Sequence, residues 1–117
     1  MEFLADEKNY PIYVHCLGGA DRTGMIAIYL RALANESDDF IHLDYELTSL
    51  STYSYGISEG VERKGYRSRN DSYYVEYLDM IEKYAPSKPL SEKIKAFLLD
   101  CGVPEESLEK IKSIKCK

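Results

Sequence analysis

The sequence predicts an α/β fold in which one buried strand and a glycine-containing loop precede a mostly helical remainder. Residues 11–16, PIYVHC, are rich in β-branched and aromatic residues, which is typical of strands. After Arg22, apolar residues recur at helical spacing in segments separated by Gly, Pro or acidic clusters. With 117 residues, 44% of them hydrophobic, the chain has the size of one domain with a modest core.

The PIYVHC segment is expected to be a central strand. Its apolar and polar residues do not alternate strictly, which is the pattern of a short strand buried on both faces. Such a strand needs a neighbour at each edge, because unpaired buried amides and carbonyls are costly and exposed edges associate. We therefore expect that a chain with this strand alone either self-associates or is marginally folded.

Five helices are expected after the loop. The first runs from Arg22 to about Ala34 and is apolar on most sides, and the second begins at the N-cap residue Ser37 and runs to about Leu50. The other three are marked by Tyr74, Tyr77, Leu78 and Ile81 before Pro86, by Ile94, Phe97, Leu98 and Cys101 before Gly102, and by Leu108, Ile111 and Ile114 after Pro104. Residues 51–70 contain three glycines and no helical stripe, and we interpret them as a long loop or lid.

Charge and cysteine content exclude several classes of function. The formal net charge of -5 argues against general attraction to nucleic acid or to an anionic membrane. The three cysteines, Cys16, Cys101 and Cys116, form neither a metal-binding pattern nor an even disulfide framework. No apolar run reaches membrane-spanning length, and the charged start lacks a signal peptide. We therefore expect a cytoplasmic protein. The alternative is an exported protein whose signal peptide has already been removed.

Residues 16–22 have the composition of an anion-binding loop. Gly18 and Gly19 let the backbone curl around an oxyanion, and the helix that begins near Arg22 adds the partial positive charge of its N-terminus. The guanidinium of Arg22 can bind two oxygens at once. Cys16 lies at the base of the loop, and a positive environment lowers a thiol pKa from about 8.5 to roughly 3.5–7.5. The pattern thus indicates a thiolate nucleophile aimed at a bound anion.

The stretch HCLGGADRTG resembles the signature of the protein tyrosine phosphatase superfamily, H-C-x-x-G-x-x-R-[S/T]-G. Every fixed position matches: His15, Cys16, Gly19, Arg22, Thr23 and Gly24. The Asp before Arg22 and the following GMIAIYLRAL look similar to the bacterial tyrosine/serine phosphatase branch. Weaker similarity to that branch lies in DYELTS and in GVPEESLEKIK near the carboxyl end.

This resemblance implies a two-step hydrolysis of phosphotyrosine, or of phosphoserine, through a phosphocysteine on Cys16. Thr23 would donate a hydrogen bond to the Cys16 sulfur, and His15 would order the loop from behind, with Gly24 in support. Phosphate would be held by the loop residues Leu17, Gly18, Gly19, Ala20, Asp21 and Arg22. The substrates would be phosphorylated proteins or small phosphomonoesters, and the chemistry would need no metal or organic cofactor.

Two features depart from the family pattern. Ala20 stands where related loops often carry Lys, which weakens the case for multiply phosphorylated substrates such as phosphoinositides. Cys16 has only fifteen residues before it, whereas family members place several strands there and one βαβ crossover alone takes about 30 residues. Residues 1–117 are therefore expected to be one incomplete domain, the carboxy-terminal part of a phosphatase fold.

Several residues have alternative interpretations. Asp21 is either the general acid and base of the reaction or a residue that caps the first helix, and both remain open. Cys101 and Cys116 are expected to be buried small hydrophobes, and His42 to be structural or solvent-facing rather than a ligand. The basic run Arg63, Lys64, Arg67 and Arg69 is interpreted as solvated surface rather than as a steering patch for phosphorylated substrates.

Two other functions remain open from the sequence. One is a rhodanese-like sulfurtransferase, which also holds a Cys in a cradle of amides, although Arg22 and Thr23 at these spacings favour phosphate. The other is a non-catalytic phosphate-binding remnant of a phosphatase domain. The intact Cys16 argues against the remnant, and the missing strands argue for it.

Overall fold

The computed structural model describes residues 1–16, 19, 21–47 and 72–114 of the chain. Two short 3-10 helices, Glu2–Ala5 and Glu7–Asn9, come first. Five α-helices follow: α1 Arg22–Leu33, α2 Asp38–Leu47, α3 Ser72–Glu82, α4 Leu90–Asp100 and α5 Glu105–Ser113. The expected extension of the second helix to Leu50, the loop or lid at 51–70 with its basic run, and Cys116 lie outside the described residues.

The predicted α/β fold is wrong, because the described residues form no strand and no sheet. PIYVHC belongs to no regular element, and its Tyr13 is 87% exposed, so the segment is not buried on both faces. Residues 12–15 make no backbone hydrogen bond to any other described residue. A β-prone composition indicates only a preference for extended backbone. A strand also needs a neighbouring strand with which it exchanges backbone hydrogen bonds.

The helix boundaries follow local signals that the sequence carries. The Ser37 hydroxyl accepts a hydrogen bond of 3.3 Å from the Phe40 amide, as expected of an N-cap. Gly102 has a φ of 85° at the end of α4, the left-handed conformation in which glycine commonly ends helices. A third cap is tertiary: the Leu90 amide at the start of α4 donates to the Asp38 carboxylate, at 3.0 Å.

The core lies between the α-helices, with α1 against α2, α4 and α5, and α3 against α4. The expected apolar faces of α3, α4 and α5 are confirmed, since each supplies buried side chains. The buried hydrophobic residues are Ile28, Ala32, Leu33, Ile41, Tyr45, Tyr74, Tyr77, Ile81, Leu90, Ile94, Leu98, Leu108 and Ile111. Because α1 contacts three other helices, the core fixes the position of this helix.

A tyrosine cluster joins α2 to α3. The Tyr74 ring is fully buried and stacks on Tyr45, with centroids 4.0 Å apart and planes 14° apart. A hydrogen bond of 2.8 Å joins the Tyr74 hydroxyl and His42 Nδ1. This contact fits the structural role expected of His42. Burial, and secondly the nearby Tyr29, raises the pKa of Tyr77 well above its usual range.

Candidate active site

The site predicted from the sequence lies where an irregular segment enters α1. Cys16 is half-buried and in no disulfide. Asp21 is the N-cap residue of α1, and its carbonyl accepts a hydrogen bond of 2.9 Å from the Met25 amide. The first amides of a helix have no intrahelical acceptor and carry partial positive charge. The end of α1 that follows Cys16 can therefore attract an anion.

Gly19 holds a backbone conformation that favours glycine. Its φ is 70°, in the left-handed region, and it is exposed. A Cβ built on Gly19 would have no described atom within 4 Å. The requirement for glycine here is thus conformational and not a matter of space. The neighbouring loop residues Leu17, Gly18 and Ala20 lie outside the described residues, so their predicted contacts with phosphate remain predictions.

Arg22 is the first residue of α1 and its side chain is exposed. It forms no hydrogen bond or ion pair with the part of the chain that the structure describes. The first turn of α1 contains no acidic residue that would compete for the guanidinium. An exposed guanidinium next to a helix N-terminus is suited to binding the oxygens of an anion.

Asp21 does not use its side chain to cap α1. The residue occupies the N-cap position and is half-buried, but no side-chain capping hydrogen bond forms. The structure therefore does not show the capping role for this side chain, and the part of the Asp21 carboxyl group in the reaction remains a prediction.

Thr23 has a buried polar atom that is not satisfied. Its Oγ1 has no hydrogen-bond partner within the described chain, so the predicted bond to the Cys16 sulfur remains a prediction. A buried hydroxyl without a partner costs about 1–3 kcal/mol, and such an atom commonly marks a functional position. Gly24 follows in the helix, and no described atom lies within 4 Å of a Cβ built there.

The His15 ring pairs with a neighbouring aromatic side chain. It is exposed and stacks on Tyr13, with centroids 5.5 Å apart and planes at 23°. No hydrogen bond joins this ring to another described residue, and its role in ordering the loop remains a prediction. Residue type and spacing contain no signal for the stacked pair, because the composition of this segment predicts that Tyr13 lies inside a sheet.

Other candidate positions lie apart from this site. Cys101 ends α4 and is exposed, so the expectation that it would be buried is wrong. A polar cleft of about 580 Å³ lies between the amino-terminal 3-10 helices and α5. None of the predicted site residues lines it. Within the described ranges no three His, Cys, Asp or Glu side chains are placed to hold a metal ion, and no helix is long and apolar enough to cross a membrane.

Comparison with known proteins gives one match. The sequence model of the tyrosine phosphatase family matches residues 1–114, nearly the whole chain and all of the site described above. Neither the curated proteins nor the solved structures gave a match. The family match supports a phosphatase function.

Proposed function

Because this chain belongs to the tyrosine phosphatase family, we propose that it hydrolyses phosphotyrosine monoesters with Cys16 as the nucleophile. The observation that carries the proposal is the HCLGGADRTG segment at the start of α1, with Cys16 before the loop and Arg22 after it. The Asp before Arg22 supports placement in the bacterial tyrosine/serine branch. A cysteine nucleophile also favours a reducing compartment such as the cytoplasm.

The first step is attack on phosphorus. The Cys16 thiolate forms a sulfur–phosphorus bond while the bond from phosphorus to the tyrosine oxygen breaks, and the leaving phenolate takes a proton from the Asp21 carboxyl. In the second step water attacks the phosphocysteine. The water gives its proton to the Asp21 carboxylate, inorganic phosphate leaves, and the thiolate is restored.

Three groups lower the barrier by stabilising charge. The Arg22 guanidinium and the amides at the start of α1 bind the phosphoryl oxygens, where negative charge spreads during transfer. The Thr23 hydroxyl, buried without a described partner, would donate to the Cys16 sulfur once the loop closes around a bound oxyanion. That hydrogen bond stabilises the thiolate as nucleophile in the first step and as leaving group in the second.

The proposal predicts that Cys16 and Arg22 are essential for different reasons. With p-nitrophenyl phosphate as substrate, Cys16→Ser should abolish turnover but retain phosphate binding by calorimetry, because the amides and Arg22 remain. Arg22→Ala should lose turnover and weaken phosphate binding at least about tenfold, since it removes a charge-assisted bidentate contact. Cys101→Ser, which changes an exposed cysteine outside the site, is the matched control and should behave as the wild type.

Other outcomes would identify the alternatives. Phosphate binding by the wild-type chain without turnover of any aryl phosphate would indicate a non-catalytic phosphate-binding protein. Turnover of thiosulfate without phosphatase activity would indicate a sulfurtransferase. Equal loss of phosphate binding in Cys16→Ser and Arg22→Ala would refute the separate roles assigned to the two side chains.

A further inference from the structure

We draw no further inference here: the strongest candidate, the exposed apolar face that Phe40, Leu43 and Leu47 form on α2, carries none because nothing in the described part of the chain shows what covers it.

Discussion

Replacing Gly19 by alanine should impair the loop through backbone conformation alone. The residue has a φ of 70°, and no described atom lies within 4 Å of the position that a Cβ would take. The added methyl group therefore meets no steric clash, and the cost is that of holding an L-residue in the left-handed region, about 1–2 kcal/mol. If phosphate binding requires this conformation, Gly19→Ala should lower phosphate affinity and kcat/KM by about 5–30-fold.

Two comparisons distinguish a conformational effect of the alanine at position 19 from a steric one. D-alanine at position 19, introduced by chemical ligation, favours positive φ and should restore wild-type phosphate affinity in calorimetry. Gly24→Ala is the matched control: Gly24 lies inside α1 with no described atom near its Cβ position, and alanine there should raise stability by up to about 1 kcal/mol. An equal loss of affinity with L- and D-alanine at position 19 would refute the conformational explanation.

The remaining predictions concern the proposed acid and the tyrosine cluster. Asp21→Asn should slow hydrolysis of phosphotyrosine by about 10²–10⁴-fold but slow that of an activated aryl phosphate much less. Equal slowing of both substrates with a lower thermal midpoint would favour the capping role instead. Tyr74→Phe should cost about 0.5–1.5 kcal/mol in chemical denaturation because it removes the hydrogen bond to a histidine on α2.

The helices could be predicted from the sequence because their signals are local. Ser37 caps α2 with its own hydroxyl, Gly102 ends α4 in the left-handed conformation, and apolar residues recur along α3, α4 and α5 at the period of the helical turn. The absence of a strand at residues 11–16 could not be predicted in the same way. Residues 11–16 have the composition of a strand, but pairing depends on a neighbour that no property of those six residues reveals.

The candidate site was predicted by residue type and spacing, and the structure adds what spacing cannot give. Spacing placed Arg22 at the start of a helix, and α1 begins there. It did not reveal that the Asp21 side chain forms no capping hydrogen bond, that Gly19 has a positive φ, or that the Thr23 hydroxyl is buried without a described partner. Each of these depends on the path of the backbone. Sequences with the same spacing of these residue types can follow different backbone paths.

The hydrogen bond from the Leu90 amide to the Asp38 carboxylate has a consequence for how the chain folds. It joins residues 52 positions apart, so it forms only after a long stretch of chain has closed, and loop closure of this kind slows folding more than it weakens the native state. The α1–α2 contact is local and can form first, whereas α4 acquires its cap only when it docks. Loss of this carboxylate should therefore appear mainly as faster unfolding, with little change in the folding rate.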